Sequence, residues 1–290
     1  MHVASREGTP YVAKPDPRPA IDHGGNLRKI EGRHHRLVKE LRQAFARDEV
    51  SPEGYFAIEG FRLVEEAIRS GLKLRTLFIS AAARARAGRL LPQIGPHTET
   101  VLLADRLFSS AVPTETPQGV AALVRGRTFR LEDVLKRSQL GPVVVLSGLQ
   151  DPGNLGTIIR SAEAFAAAGV VLGEGTVSPR NWKAVRAAAG SLFRLPVVKV
   201  RLEDVVTQLR EHGIRRLATA AHKGTPLPEA VMTGPLAVFL GGEGGGLGPR
   251  LLRELEEVVA IPHAGTVESL NAGVACSILL YEAWRQRKSG

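Results

Sequence analysis

Residues Ile261–Arg287 read IPHAGTVESLNAGVACSILLYEAWRQR. An apolar strand end, Val258, Val259 and Ile261, runs into Pro262; a glycine-containing turn follows, and Ser269 and Asn271 stand immediately before a long apolar-periodic segment. Ser and Asn in that place accept hydrogen bonds from the first free backbone N–H groups of a helix. The pattern is strand, turn and helix, with a polar, backbone-rich loop at the carboxyl end of a strand, where open α/β sheets bind ligands. Two loops of the same kind lie upstream, Gly241-Gly242-Glu243-Gly244-Gly245-Gly246 and Asp151-Pro152-Gly153-Asn154-Leu155-Gly156.

Around these loops strand and helix signals alternate. PVVVLSGL after Gly141 is a continuous apolar run, as in a buried parallel strand. A helix from about Gly156 to Ala168, the strand GVVLG, the helix NWKAVRAAAGSLF, the strand LPVVKV and the helix DVVTQLREHG follow. RRLATAAHKG, PLAVFLGG, a helix over PRLLRELEEV and the strand VVAIPH complete the series before the last helix, which ends in Lys288. The first half reads as a smaller α/β unit: helix HRLVKELRQAF, strand YFAIEG, helix FRLVEEAIRS closed by Gly71, strand LRTLFIS, a basic helical piece from Ala81 to Leu91, strand and helix in TVLLADRLFSSAV, and strand GVAALVR. Such alternation implies a layered α/β fold with a parallel sheet. The expected domains are a disordered leader over 1–28, a small α/β domain over 29–126, a charged linker over 127–141 and a second α/β domain over 142–290.

Composition narrows the function. The chain has 290 residues, enough for one large or two small domains. No segment approaches the ~20 apolar residues that span a bilayer, and the first residues lack the apolar core of a secretory signal. Cys276 is the one cysteine, which rules out an internal disulfide and disfavours a cysteine-based zinc site. No metal, no membrane partner and a cytoplasmic location are expected. A net charge of +10 points to a polyanionic partner. Residues 1–139 hold 23 Lys and Arg against 16 Asp and Glu, and residues 140–290 hold 16 against 13, so the basic excess lies mainly in the first half.

Familiar phosphate fingerprints fail. GGEGGGLGPR lacks the Lys-Ser/Thr of a P-loop, and no frame of 241–248 fits G-x-G-x-x-G. Five glycines in six residues weaken any regular element, but they let a backbone approach a ligand closely. The run lies between the apolar strand Leu236–Leu240 and a helix opened by Pro249, a poor place for a linker, so ligand contact is expected there. Arg160 lies four residues beyond Gly156, one turn inside the expected helix, where it either grips phosphate or pairs at the surface.

Taken in order, DPGNLGTIIRSAEAF, FLGGEGGGL and IPHAGTVESLNAGVACSILLYEA resemble the signature of the SpoU (TrmH-like) family of RNA ribose 2′-O-methyltransferases, of the SPOUT class, over roughly Val143 to Arg287. FAIEGFRLVEEAI and PQGVAALV are similar to the family's amino-terminal L30e-like RNA-binding domain. The resemblance implies a SPOUT domain with a deep carboxyl-terminal trefoil knot, S-adenosyl-L-methionine as methyl donor, a homodimer, and rRNA (23S-type) or tRNA rather than DNA as substrate. It places the donor against Gly241, Gly246, Ile261, Pro262 and Leu270. Asn154, Arg160, Glu243, Ser269 and Asn271 fall on the family's active-site positions.

Four positions depart from the family pattern: His263 stands where Met is common, Gly242 precedes Glu243 in place of Asn or Ala, Ala166 follows Phe165 where Gly is frequent, and Ala188 replaces a frequent Ser. His263 reads as a steric replacement for Met. The implied reaction is in-line displacement by a ribose 2′-oxygen, which demands alignment and a means of handling the proton of a very weak acid. Arg160 serves either as the base or as a clamp on phosphate and forming alkoxide; the first is expensive for a guanidinium with pKa above about 12. Asn271 and Ser269 orient the target nucleotide or act as helix caps. Glu243 holds Arg160 across the dimer interface or pairs with backbone N–H groups, and Asn154 fixes its loop. The competing readings are a non-catalytic RNA-binding or ribosome-assembly factor and, in third place, a base methyltransferase.

Overall fold

The computed structural model describes residues 27–47, 51, 53–242, 246–264 and 267–289. Its first half comprises β1 (Leu27–Ile30), α1 (Arg36–Ala46), β2 (Tyr55–Glu59), α2 (Phe61–Arg69), β3 (Lys73–Ser80), α3 (Arg84–Ala87), β4 (Glu99–Leu103), α4 (Asp105–Ser109) and β5 (Val120–Arg125). The second half comprises α5 (Leu131–Leu135), β6 (Val143–Ser147), α6 (Pro152–Ala164), β7 (Gly169–Leu172), α7 (Trp182–Ala187), β8 (Val197–Lys199), α8 (Leu202–Glu211), β9 (Arg215–Ala220), β10 (Thr225–Pro226), β11 (Leu236–Gly241), α9 (Pro249–Leu252), β12 (Glu257–Ala260) and α10 (Ala272–Ser289).

Seven strands of the second half form one sheet in the order β10-β12-β9-β11-β6-β7-β8, and every described pairing in it is parallel. The period of two along each strand divides the side chains between two helix layers. Val144, Leu146, Val238 and Leu240 pack with Ile158, Ile159 and Ala162 of α6 and with Cys276, Leu279, Leu280 and Ala283 of α10. Val143, Val145, Ala237 and Phe239 point the other way, onto Val205, Val206 and Leu209 of α8. Both faces are covered, which is why these strands read as unbroken apolar runs. The first half forms a five-stranded sheet, β1-β4-β3-β5-β2, whose β5 runs antiparallel to both neighbours.

The two halves share a core. Phe56, Ile58 and Val124 of the first sheet join one buried cluster with Ala184, Val185 and Phe193, and the Phe56 and Phe193 rings lie 6.3 Å apart. A polar clasp reinforces the joint. Arg194 forks onto both carboxylate oxygens of Glu163 in α6 at 2.6 and 2.9 Å, and its remaining nitrogen donates to Glu66 and Ser70 of the first half, each at 2.9 Å.

Several expectations give way. The leader expected to end at residue 28 lies outside the described residues up to 26, and Leu27–Ile30 already pairs with β4. The segment 127–141 is not a bare linker: it contains α5, whose Val134 and Leu135 are buried in the second core. The basic piece from Ala81 to Leu91 forms only four helical residues, and PRLLRELEEV also forms only four. Helix α6 starts at Pro152 instead of Gly156, because Asp151 caps it, accepting from the Asn154 N–H at 2.6 Å, and Pro152 fills its first turn. Helix α7 stops at Ala187, and the chain turns through left-handed backbone at Ala189 and Gly190.

Candidate active site

The three loops singled out in the sequence meet at the carboxyl ends of β6, β9, β11 and β12. As β11 ends, the Gly242 N–H donates to the Ser147 carbonyl at 2.7 Å and the Gly246 N–H returns to the Gly242 carbonyl at 3.1 Å. Only glycine fits here. A Cβ on Gly241 would lie 2.2 Å from the Gly246 carbonyl carbon, and one on Gly242 would lie 2.1 Å from the Gly148 oxygen. Gly241, Gly242 and Gly246 therefore form a wall, with Gly242 pressed against the loop that leads into α6.

Behind that wall is a cavity of about 290 Å³, close to the small end of ordinary ligand sites. Five of the expected residues line it: Gly241, Gly246, Ile261, Ser269 and Leu270. Leu240, Val259 and Leu279 supply further apolar wall, and Thr219, Ala220 and Ala221 bring the end of β9. No lysine or arginine lines it among the described residues. Such a chamber suits an amphipathic cation, with apolar walls for a ring and backbone groups for its polar edge, and does not suit a phosphorylated nucleotide. Pro262, also expected among the donor contacts, is exposed and outside the lining.

Asn271 caps α10: its Oδ1 accepts from the N–H groups of Gly273 at 3.0 Å and Val274 at 3.2 Å. His263, set aside in the sequence as a steric change, lines the cavity and ties its loop together. Its Nδ1 lies 2.8 Å from the Ile261 carbonyl, its Nε2 3.2 Å from that of Val267, and its ring lies 5.1 Å from that of His222 at a tilt of 35°. The β9 contributors escape sequence reading because Thr219, Ala220 and Ala221 carry no distinctive chemistry; only their position at a strand's carboxyl end signals them.

Asn154 and Arg160 do not line this cavity. Asn154 is buried in the first turn of α6, so it belongs to the helix and not to a loop. Arg160 is the ninth residue of α6, more than two turns in, which corrects its expected place. Six residues separate it from Asn154, about 240° around the helix axis, so the two side chains leave on different faces. Arg160 is exposed and forms no ion pair among the described residues. Glu243 lies outside the described residues. A larger hollow of about 560 Å³ lies across the sheet between α8 and α9. Its lining sets Arg201, Arg210 and Arg250 against Glu174, Glu203 and Glu254, with Glu203 shared by Arg201 and Arg250 and Glu254 paired with Arg210, so it offers a ligand little net charge.

Comparison with known proteins agrees with this geometry. Residues 141–281 match the SpoU rRNA Methylase family, and residues 35–122 match the MRM3-like substrate binding domain. The chain is 33% identical over 255 residues to the 23S rRNA (guanosine(2553)-2′-O)-methyltransferase RlmP of Bacillus subtilis, covering 88% of this chain and 98% of that one. It is similar in structure to the SpoU methyltransferase AviRb of Streptomyces viridochromogenes in complex with the cofactor AdoMet, with a TM-score of 0.76 at 30% identity over 88% of this chain and 99% of that one. It is also similar to an AdoMet-bound rRNA methyltransferase from Sinorhizobium meliloti, with a TM-score of 0.77 at 30% identity over 90% and 98% of the two chains. With its parallel sheet, glycine-walled cavity and substrate-binding domain, this chain belongs to the SpoU rRNA methylase family.

Proposed function

We propose that this protein methylates a ribose 2′-hydroxyl of 23S-type ribosomal RNA, using S-adenosylmethionine, as a cytoplasmic homodimer whose segment from Ile261 to Arg287 threads a trefoil knot. The observation that carries the reading is the near full-length likeness to a 23S rRNA 2′-O-methyltransferase, on a chain that retains the glycine-walled cavity. The cavity residues fit the donor: a wall without lysine or arginine does not oppose a sulfonium, and Leu240, Ile261 and Leu270 enclose apolar surface.

When bound, S-adenosylmethionine supplies an electrophilic methyl on a positively charged sulfur. The chain's own residues must bring a ribose oxygen into line with it. Gly241, Gly246 and Leu270 hold the donor side by shape and backbone groups, and the Asn271 cap fixes the start of α10 beside it. Ser269, on the cavity rim, is placed to orient the incoming nucleotide. Arg160 acts on the nucleotide from outside the cavity: its guanidinium clamps a phosphate and stabilises developing charge on the 2′-oxygen, or, as the neutral guanidine, it takes up the proton.

A second copy completes this arrangement. Arg160 is exposed and without an ion-pair partner among the described residues of its own chain. An apolar, aromatic patch lies at the end of α6 and on α10: Tyr281 and Trp284 of α10 are 47% and 36% exposed, and the Phe165 ring lies 5.8 and 6.3 Å from theirs. Glu243 would then hold Arg160 across the interface, and Asn154 secures the loop beside it.

Mapping 2′-O-methylation across total RNA, with and without the gene, tests the reading. Loss of one site in 23S rRNA supports it. Loss of a tRNA site moves the substrate to tRNA, and an unchanged map overturns the assignment.

A further inference from the structure

Among the described residues Arg180 is a charged side chain without a counter-ion, in a largely desolvated place. It sits in the loop between β7 and α7, and its guanidinium carbon stands 4.4 Å over the Phe56 ring of the first half. The Gly126 backbone is also close: a Cβ there would come within 2.8 Å of one terminal nitrogen and 3.1 Å of both the other and the guanidinium carbon. The head thus lies against an aromatic face and close to a peptide, and a side chain at 126 would have to displace it.

Among the described residues no carboxylate lies within ion-pair distance of Arg180, and no hydrogen-bond acceptor is met by its guanidinium. None of its nitrogens is sealed from the surface either. Burial of the group pulls its pKa down to about 10. A guanidinium stripped of much of its water, denied a partner and left with an open N–H edge is unfavourable in the free protein. It becomes favourable when an anion arrives.

The position indicates which anion. The Arg180 loop is laid against the loop leaving β6: the Gly148 N–H donates to the Glu174 carbonyl at 3.0 Å and the Val177 N–H to the Leu149 carbonyl at 2.8 Å. The same β6 loop backs the glycine wall at Gly242. Arg180 therefore stands on the seam between the substrate-binding half and the donor side. Other cations surround it in sequence: Arg125 and Arg127 flank Gly126, while Lys183 and Arg186 follow on α7, all exposed and none in an ion pair among the described residues.

We propose that Arg180, held by Phe56 and Gly126, is a binding residue for an RNA phosphate, gripping the strand where it crosses from the substrate-binding domain to the donor cavity. The inference rests on the RNA-methylating reading of this protein. Arginine is required because only its planar fork both stacks on Phe56 and presents paired donors to a phosphate.

The test uses the full-length protein and an unmethylated 23S rRNA transcript, with RNA affinity measured across a salt series and donor affinity by titration calorimetry. Arg180→Gln is expected to weaken RNA binding about tenfold or more and to lower the salt slope by about one. Donor affinity should stay at the wild-type value. Arg180→Lys keeps the charge but not the fork, and is expected to fall between. Gly126→Ala, which displaces the guanidinium without removing it, is expected to weaken RNA binding in the same direction. Wild-type RNA affinity and salt slope in Arg180→Gln would overturn the inference. So would a Gly126→Ala protein that melts early yet binds RNA normally, since Arg180 would then be structural glue. Wild-type protein that neither binds nor methylates the transcript would fail the functional reading itself, a result visible before any variant is made.

Discussion

Gly241→Ala isolates the cavity wall. Gly241 has no left-handed backbone, so alanine meets no conformational penalty there and the effect is steric. The new Cβ would lie 2.2 Å from the Gly246 carbonyl carbon, 2.5 Å from its oxygen and 2.6 Å from its Cα. These are backbone atoms, and contact becomes ordinary only near 3.4 Å, so the wall must retreat by more than an ångström. The Gly246-to-Gly242 hydrogen bond is the first to break. Overpacking of this kind costs about 1–3 kcal/mol, and a displacement of ~1 Å at a reacting site can cost ~10²-fold in rate. Calorimetric titration of S-adenosylmethionine should show a Kd raised ~10- to 100-fold, with Tm lowered by a few degrees. Gly248→Ala is the matched control, since nothing lies within 4 Å of its Cβ, and should bind the donor as wild type does. If Gly241→Ala melts early but binds donor normally, this cavity is not the donor site.

Four further outcomes are expected. Asn271→Ala removes the acceptor for the Gly273 and Val274 N–H groups and should cost about 1 kcal/mol in urea unfolding; Asn271→Asp should restore stability but not turnover, and wild-type turnover by it would reduce Asn271 to a cap. Ala166 holds left-handed backbone at φ 54° just beyond α6, so Ala166→Gly should stabilise the protein by ~0.5–1 kcal/mol, and an unchanged or lowered Tm would contradict this. Burial alone would raise the Glu163 pKa, but hydrogen bonds from Arg194 and Ser191 and the Arg194 charge outweigh it and hold the carboxylate below its ordinary 4.5. A depressed pKa contributes stability above that value and loses it as pH falls through the folded-state pKa, so the stability gap between wild type and Arg194→Ala should be full near neutrality and close below about pH 4.5; a gap independent of pH would contradict the clasp. Burial pushes the Cys276 thiol up to about 12, so a thiol reagent at about pH 8 should label the protein only as it unfolds.

Much of the architecture was legible because burial on both faces leaves a plain mark. Val143–Leu146 and Leu236–Leu240 are unbroken apolar runs, and both are central strands. Misread boundaries have local causes. Asp151-Pro152 is a helix start, but Gly153 and Gly156 made the first turn look like a loop. Gly156 is there because a Cβ would meet Ala187 of α7 at 2.4 Å, a tertiary demand that local sequence does not display. Thr225–Pro226 is a two-residue edge strand and carries no periodicity. The cavity divides in the same way. Gly241, Gly246, Ile261, Ser269 and Leu270, which line it, were singled out through the family resemblance of their loops, while Thr219 and Ala220 carry no such mark. The Arg194 clasp was beyond reading, since it pairs residues 128 positions apart, and so was the perch of Arg180 on Phe56.

The central claim is methyl transfer to a ribose hydroxyl. Its most direct test incubates the purified protein with methyl-labelled S-adenosylmethionine and unmethylated 23S rRNA, digests the product to nucleosides and identifies the labelled one. Label is expected in a single 2′-O-methylnucleoside and is lost with Arg160→Ala. Label on a base, or no transfer from a protein that binds both donor and RNA, would contradict it.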